Sequence, residues 1–147
     1  MAYLEGANLV AAYGVVPILH ECSVEVEKGE LAVIVGPNGA GKSTVMRVLL
    51  GMLEATSGSV TLDGNDISML STQERISLGL AFVPQNKNVF PSMTVEENLE
   101  MGAFLRTDDI KKTMEEVYNL FPILYEKRRQ LAEELSGGQR QQVAFGR

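Results

Sequence analysis

The sequence has 147 residues, of which 45% are hydrophobic and 22% charged, and its formal net charge is −6. This length and composition are typical of one folded domain and argue against disorder. The acidic balance argues against nucleic acid as a main partner, because duplex binding requires a clustered basic surface. The one cysteine, Cys22, cannot form an internal disulfide, and its strand-like surroundings indicate a buried structural thiol.

The N-terminal segment lacks the basic start and long apolar core of a signal peptide. The longest loosely apolar stretch, Leu9–Leu19, is interrupted by Gly14 and Pro17 and is too short to cross a bilayer. The sequence therefore predicts a cytosolic protein that reaches a membrane only through a partner.

The first predicted elements are strands. Alternation in "AYLEGANLV" and "HECSVEVEKGE" predicts two strands joined by an irregular segment around Tyr13 to Pro17, and "KGE" predicts a tight turn. The apolar run Leu31–Val35 is typical of a strand covered on both faces in an α/β protein. The segment "KSTVMRVLLGML" then predicts a helix, whose apolar face carries Val45, Val48, Leu49 and Met52.

The next elements continue an α/β pattern. The segment "SGSVTLDGNDI" predicts a strand between glycine turns, and "LAFVP" predicts another buried strand. Between them, "STQERISLG" predicts a short helix with Ser71 or Thr72 as its cap and Gly79 just past its end.

Helical patterns follow from Asn86 onward. In "TVEENLEMGAFLR", Thr94 is followed three residues later by Glu97, which predicts a helix that begins with a capping box. The segment "TDDIKKTMEEVYNLF" predicts a second capped, amphipathic helix that ends at Pro122. The chain thus reads as an α/β portion followed by a helical insertion.

The segment "GPNGAGKST" matches the pattern G-x-x-x-x-G-K-[ST] at every fixed position. Glycines let such a loop turn its backbone N–H groups toward phosphate oxygens. Lys42 would reach the β- and γ-phosphates, and the Ser43 hydroxyl would help to coordinate Mg²⁺. A glycine-rich turn that only joins strand to helix is the alternative. The candidate nucleotide-binding residues here are Gly36, Asn38, Gly39, Ala40, Gly41, Lys42, Ser43 and Thr44.

A second motif, "LSGGQ", spans Leu135–Gln139 and opens a stretch with a helical pattern. Ser136 and the two glycines therefore stand at a helix N-terminus, which suits an anion. Taken alone, the motif is better explained as a serine cap followed by a glycine turn.

A phosphate loop followed, after a helical insertion, by LSGGQ resembles the nucleotide-binding subunits of ABC transporters. The resemblance implies an α/β fold, a P-loop NTPase of ABC type with an N-terminal β portion, a RecA-like core and a helical subdomain, whose C-terminal core strands are missing from this chain. The implied parts are residues 1–85, which bind nucleotide, the helical subdomain 86–135, and residues 136–147 with the signature and the start of its helix. The implied cofactors are ATP and Mg²⁺.

In that family two subunits pair head to tail as homo- or heterodimers, and each ATP lies between the phosphate loop of one subunit and the signature of the other. The resemblance therefore implies a site shared between subunits. The signature residues implied to bind the nucleotide are Ser136, Gly137, Gly138 and Gln139.

Two further positions match the family. Tyr13 corresponds to the aromatic residue that stacks on adenine, although a tyrosine here also suits plain packing. Gln85 corresponds to the glutamine that contacts Mg²⁺ and the attacking water and that senses the membrane subunit; a polar residue that merely ends a strand is the alternative. By this resemblance Lys42 and Gln85 are the catalytic candidates, and Ser43 and Gln85 the metal ligands.

The segment "LAFVPQNKNVFPSMTVEENLEMGAFLR" looks most like the branched-chain amino-acid importer branch. The implied partners are membrane-spanning permease subunits and, indirectly, an extracytoplasmic solute-binding protein, and the implied location is the cytoplasmic face of the cytoplasmic membrane. The surface around Asn88 to Met93, with apolar Val89, Phe90 and Pro91, would receive a short helix of the permease. Packing against the insertion's own helices is the alternative.

The sequence departs from the family after the signature helix. It contains no aliphatic strand ending in Asp and Glu and no later histidine, and His20 precedes the phosphate loop. Glu96, Glu97, Glu133 and Glu134 fall on the insertion or before the signature, so we assign none of them as catalytic base. Hydrolysis by this chain alone is therefore doubtful. We also expect the chain alone to be unstable, since the strand Leu31–Val35 would lack neighbours.

The leading hypothesis is the ATP-hydrolysing subunit of an amino-acid importer. A non-hydrolysing, ATP-binding regulator or relic is the second, and a soluble ABC-type ATPase of DNA repair or translation is the third. The acidic balance and the short insertion disfavour the third hypothesis.

Overall fold

The computed structural model describes residues 2–147 of the chain. It divides into two compact units, of which the first ends at Phe82 and the second is Val83–Arg147. The first unit contains β1 (Leu4–Tyr13), β2 (Val16–Val26), α1 (Lys42–Leu49), β3 (Ser57–Leu62), β4 (Asn65–Asp66) and α2 (Thr72–Ser77). The second unit contains α3 (Val95–Gly102), α4 (Lys111–Leu120), α5 (Pro122–Glu126), a 3₁₀ turn (Ala132–Glu134) and α6 (Gly137–Gly146).

The first unit is built on an antiparallel sheet with the strand order β2-β1-β3-β4. The two predicted N-terminal strands are confirmed as a hairpin, whose register runs from Leu4 opposite Val26 to Tyr13 opposite Val16. The prediction that Tyr13 lies in an irregular connector was wrong: Tyr13 is the last residue of β1, because the chain reverses within Gly14 and Val15.

The predicted strand over "SGSVTLDGNDI" is a second, shorter hairpin. Leu62 pairs with Asn65, and the chain reverses through Asp63 and Gly64, whose φ values are 48° and 76°. Two successive left-handed residues form the turn whose twist matches that of antiparallel strands, and Asp-Gly is a favoured sequence for it.

Helix α1 packs its apolar face against the sheet. Of the four residues predicted on that face, Val45, Val48 and Leu49 are buried as predicted. Met52 was predicted wrongly and is half exposed, because the helix ends at Leu49 and Gly51, with φ 70°, turns the chain away. The core of this unit consists of Leu9, Ala11, Leu19, Val45, Val48, Leu49, Val60, Leu62 and Ile67.

The predicted buried strand Leu31–Val35 was wrong for the described structure. These residues belong to no strand, and Leu31 and Val35 are 89% and 84% exposed. No described strand lies beside them to accept and donate ladder hydrogen bonds, so the apolar run has nothing to pair with. The segment "LAFVP", Leu80–Pro84, is outside any strand for the same reason, although Leu80 packs against the core of the first unit.

Short helices begin where the sequence predicted caps. The Ser71 side chain, and not that of Thr72, caps α2, and Gly79 follows its end with φ 99°. Thr94 and Glu97 form the predicted capping box of α3, in which the Thr94 backbone N–H donates to the Glu97 carboxylate at 2.7 Å.

The second predicted helix of the insertion differs from its prediction. Helix α4 begins at Lys111 without a side-chain cap and ends at Leu120, and Pro122 starts the separate helix α5. A proline fits the first turn of a helix because its missing N–H is not needed there. The core of the second unit consists of Val95, Leu99, Leu124, Leu135 and Val143.

Candidate functional site

The segment Gly36–Thr44, called the phosphate loop below, runs from the exposed stretch after β2 into the first turn of α1. Its backbone depends on glycine: Gly39 and Gly41 have φ values of 84° and 88°, which other residues adopt only with strain. An ideal Cβ at Gly41 would also lie 3.0 Å from Leu19 Cδ2. At Gly39 no atom lies within 4 Å of such a Cβ, so the loop is open on that side.

The loop ends in a set of unpaired backbone donors. Gly41 is the N-cap of α1 and its carbonyl accepts from the N–H groups of Thr44 and Val45 at 2.9 and 3.0 Å. Within residues 2–147 no protein acceptor takes the N–H groups of Gly39, Gly41, Lys42 and Ser43. Free N–H groups at a helix N-terminus attract an anion.

The Lys42 side chain folds back over the loop. Its ammonium Nζ donates to the carbonyl oxygens of Gly36 at 2.8 Å and Pro37 at 2.7 Å. The two carbonyl oxygens occupy the acceptor positions that phosphate oxygens would take on the ammonium. The positively charged ammonium of Lys42 therefore lies against the phosphate loop.

Tyr13 lies at the edge of the first unit, 44% exposed, with its hydroxyl tied to α1. The Arg47 guanidinium Nη1 donates to the Tyr13 hydroxyl oxygen at 2.8 Å. The bond joins Tyr13 to the helix that follows the phosphate loop, and part of the surface of Tyr13 is free for contact.

The two predicted metal ligands belong to different units. Ser43 is exposed in the first turn of α1, and Gln85 is exposed in an irregular segment of the second unit. Neither side chain forms a hydrogen bond with another described residue. Hydroxyl and amide oxygens fit Mg²⁺, which binds oxygen ligands and keeps several waters, so these residues suit the ion. Among residues 2–147 no group of three or more His, Cys, Asp or Glu side chains could itself hold a metal.

The signature residues begin helix α6 in the second unit. Ser136 is its N-cap: the Ser136 hydroxyl accepts from the Gln139 backbone N–H at 3.3 Å, and the Gln139 side chain accepts from the Ser136 N–H at 3.1 Å. Gly137 and Gly138 are exposed, and no atom lies within 4 Å of an ideal Cβ on either. A serine cap and an open helix N-terminus are thus present together.

The segment from Asn88 to Met93 packs partly against its own unit. Asn88 Nδ2 donates to Gln141 Oε1 in α6 at 2.7 Å, and Val89 packs against the core of the second unit. Phe90 is 41% exposed, with the Arg147 guanidinium 4.8 Å from its ring centroid, and Pro91 is exposed. Half of the predicted groove is therefore internal packing and half is free surface.

Two buried polar residues were missed at the sequence level. Arg75 in α2 is 3% exposed and Asn98 in α3 is fully buried. The Asn98 amide accepts from the Phe90 N–H at 2.7 Å and donates to the carbonyl oxygens of Phe90 and Thr94. The position of Asn98 between Val95 and Leu99 on one helix face could have signalled its burial. Nothing in the pattern "STQERISLG" distinguishes Arg75 from an exposed arginine.

His20 and Cys22 are not part of the candidate site. His20 is exposed on β2, and Cys22 is a free, partly buried thiol that packs against the core of the first unit. None of the helices in residues 2–147 combines the length and the apolarity that crossing a bilayer requires.

A glycine loop with free N–H groups, a lysine folded over it and a helix directly behind it define a nucleotide-binding protein of the P-loop class. The ABC transporter family model matches residues 19–147, and the chain belongs to that family. Solved structures agree: a nucleotide-free ATP-binding cassette from an ABC transporter superposes with a TM-score of 0.83 at 30% identity, covering 99% of this chain and 64% of the other. A cassette solved in an ADP conformation gives a TM-score of 0.81.

Curated relatives carry transport names. The high-affinity branched-chain amino acid transport ATP-binding protein BraG of Pseudomonas aeruginosa is 43% identical over 92% of this chain. A probable branched-chain amino acid transport ATP-binding protein, LivF of Archaeoglobus fulgidus, is 37% identical over 97% of it. The sn-glycerol-3-phosphate import ATP-binding protein UgpC of Ruegeria pomeroyi is 40% identical over the whole chain. The chain spans 58%, 61% and 42% of these proteins, respectively.

Proposed function

We propose that this chain is the nucleotide-binding part of an ABC importer subunit and that it binds ATP with Mg²⁺ at the phosphate loop. The observation that carries the proposal is the set of free N–H groups of Gly39, Gly41, Lys42 and Ser43, together with the Lys42 ammonium that folds back over the loop. On binding, Lys42 would exchange the Gly36 and Pro37 carbonyls for phosphate oxygens, and the amides would take up the remaining phosphate charge. Ser43 and Gln85 are the proposed ligands of Mg²⁺, which would supply positive charge that offsets the charge of the phosphates.

Calorimetric titration with ATP and Mg²⁺ tests this proposal. We expect saturable binding to the wild-type protein and a loss of about 10- to 100-fold in affinity for Lys42→Ala, because charged hydrogen bonds contribute about 1.5–3 kcal/mol each. Lys28→Ala is the matched control, since Lys28 is an exposed lysine in the turn after β2. Equal affinities of the Lys42→Ala and wild-type proteins would refute the assignment of the loop.

We propose further that a second subunit completes the site. Ser136 and the exposed glycines of one subunit would contact the γ-phosphate on the phosphate loop of the other. The open N-terminus of α6 supports this, because the N–H groups of Gly137 and Gly138 have no acceptor among the described residues. Residues 1–85 would bind nucleotide, 86–135 would form the helical subdomain that meets the permease, and 136–147 would carry the signature. Such a subunit works at the cytoplasmic face of the membrane.

Hydrolysis requires more than the loop. Lys42 binds charge, but the attacking water needs a group that orients it, and we assign that role to Gln85. We expect the 147-residue chain to bind ATP and to hydrolyse it slowly by itself, since no carboxylate within it is assigned as base.

For the transported solute we propose branched-chain or related amino acids. The names of two relatives support this choice, and the third relative makes sn-glycerol-3-phosphate the second candidate. Uptake of labelled leucine and labelled sn-glycerol-3-phosphate, compared in cells with and without the gene, separates them. Loss of leucine uptake alone supports the proposal, and loss of glycerol-phosphate uptake alone would overturn it.

A further inference from the structure

Arg75 forms a buried hydrogen-bond network that lies outside the phosphate loop. Its guanidinium donates to four backbone carbonyl oxygens and forms no ion pair with a carboxylate in the described part of the chain. The acceptors and their distances are Leu70 at 3.0 Å, Val48 at 2.8 Å, Leu49 at 2.8 Å and Ser68 at 2.7 Å. Burying a charged group costs free energy unless its N–H donors have acceptors, so these four hydrogen bonds are what allows the guanidinium to be buried.

Two of the four acceptors, Val48 and Leu49, are the last residues of α1. The final carbonyls of a helix have no partner within the helix, and positive charge is favourable at that end. The other two acceptors lie in the segment that leads into α2. Arg75 therefore fastens the C-terminal end of α1 to a separate part of the first unit.

The surroundings of the guanidinium are built to admit it. Gly51 follows α1 with φ 70°, and a Cβ there would lie 3.0 Å from Arg75 Nε and 3.2 Å from Arg75 Cζ. Thr72 adds a parallel bond, since its hydroxyl donates to the Gly51 carbonyl at 2.9 Å. A glycine, a hydroxyl and a guanidinium thus meet at one end of α1.

The phosphate loop lies at the other end of the same helix. Helix α1 has eight residues, so its two ends are about 12 Å apart at ~1.5 Å per residue. Its other attachments are one exposed side-chain hydrogen bond, from Arg47 to the Tyr13 hydroxyl, and the apolar contacts of Val45, Val48 and Leu49, which are not directional. The carbonyl bonds of Arg75 are directional, and a guanidinium holds its donors in a rigid plane.

We infer that Arg75 is a positioning residue for phosphate binding: by fixing the C-terminal end of α1, it sets where the N–H groups of Gly41, Lys42 and Ser43 stand at the other end. It acts through the helix and does not touch the ligand. The inference rests on the proposed function, since it concerns the affinity of the same loop.

Titration of the protein with pyrophosphate tests this inference, because pyrophosphate reports on the loop without the adenine. The variants are Arg75→Gln, which removes the charge, and Arg75→Lys, which keeps the charge without the planar donors. Arg129→Gln, at an exposed arginine of the second unit, is the control. Affinities are compared at low temperature, where circular dichroism shows each variant to be folded. We expect Arg75→Gln to bind about tenfold more weakly or worse, Arg75→Lys to lie between it and the wild type, and the control to be unchanged.

A purely structural role gives a different result. If folded Arg75→Gln and Arg75→Lys bind pyrophosphate like the wild type and only their unfolding temperatures fall, the inference is overturned. If Arg75→Gln does not fold, Arg75→Lys decides by the same criterion.

The amide resonances of the unliganded protein separate this inference from the proposed function. In Arg75→Lys we expect shifted resonances for Gly41, Lys42 and Ser43, and unchanged resonances there would overturn the inference. If the wild-type protein binds neither pyrophosphate nor ATP, the proposed function fails, while these resonances still decide whether Arg75 positions the loop.

Discussion

The Arg47 guanidinium donates a 2.8 Å hydrogen bond to the Tyr13 hydroxyl, and so the last residue of β1 is joined to helix α1. The bond uses the edge of the ring and leaves Tyr13 44% exposed. An aromatic ring held in this way, on the unit that carries the phosphate loop, is suited to stack on a base.

Replacement of Tyr13 should weaken binding of the adenine and spare binding of the phosphates. We expect Tyr13→Ala to reduce ATP affinity by about 5- to 100-fold, since stacking on a base contributes about 1–3 kcal/mol, and to leave tripolyphosphate affinity unchanged. Tyr13→Phe keeps the ring and should bind ATP nearly like the wild type. Calorimetry with both ligands measures the difference. Equal losses for the two ligands would show that Tyr13 supports the loop and does not stack.

Asn98 should carry an unusually large share of the stability of the second unit. Its amide is fully buried and bonded to the backbone of the segment between Phe90 and Thr94. Removing it leaves the Phe90 N–H without an acceptor and takes one donor each from the carbonyls of Phe90, Met93 and Thr94, so we expect Asn98→Ala to lower the free energy of unfolding by about 2–4 kcal/mol. Denaturant unfolding measures this, with exposed Asn119→Ala as the control. A change below about 1 kcal/mol would contradict the role assigned to the amide.

The capping box of α3 should make stability depend on pH. Hydrogen bonds from the backbone N–H and the hydroxyl of Thr94 lower the pKa of Glu97 below its ordinary value of 4.5. A carboxyl whose pKa is lowered on folding contributes stability above its unfolded pKa, and this contribution is lost as pH falls through the folded pKa.

We therefore expect the free energy of unfolding to fall less steeply in Glu97→Gln than in the wild type as pH decreases below about 4.5. Denaturant unfolding over a pH series measures the slopes. Glu96→Gln is the matched control, since Glu96 is also in the first turn of α3 but does not accept from Thr94. Parallel curves for Glu97→Gln and the wild type would argue against the linkage.

Ser136 has two roles in this account, and one substitution separates them. Asp is as good an N-cap as Ser, so Ser136→Asp should keep the stability of α6, whereas Ser136→Ala should lose about 1 kcal/mol. A carboxylate at this position would repel the γ-phosphate of the ATP bound to a second subunit. We therefore expect Ser136→Asp to abolish ATP-dependent dimerisation. Sedimentation with and without ATP measures this. If Ser136→Asp dimerises at the same ATP concentration as the wild type, the role in dimerisation is contradicted and Ser136 acts only as a helix cap.

Local signals in the sequence predicted the starts of α2 and α3. The spacing of Thr94 and Glu97 defines a capping box that needs only neighbouring residues, and the Asp63-Gly64 pair sits in a turn for the same local reason. The spacing of the motif also predicted a glycine-rich loop that leads into a helix, because this geometry depends on residues within one short segment.

Predictions that depended on distant parts of the chain fared worse. The run Leu31–Val35 has the composition of a strand buried on both faces, but a strand requires neighbours, and no described strand pairs with it. Arg75 shows the opposite case: its sequence context suggests exposure, and its burial follows from carbonyls at Val48 and Leu49, far away in sequence. Sequence periodicity indicates the local structural preference of a residue, whereas tertiary contacts determine its burial and its hydrogen-bond partners.

The most direct test of the central claim is to follow the backbone amide resonances of the protein by NMR as ATP and Mg²⁺ are added. We predict the largest chemical-shift changes for the amides of Gly39, Gly41, Lys42 and Ser43, whose N–H groups have no described protein acceptor. We predict smaller changes for the amides around Tyr13. ATP binding that shifts resonances elsewhere and leaves these four unchanged would contradict the assignment of the phosphate loop as the nucleotide site.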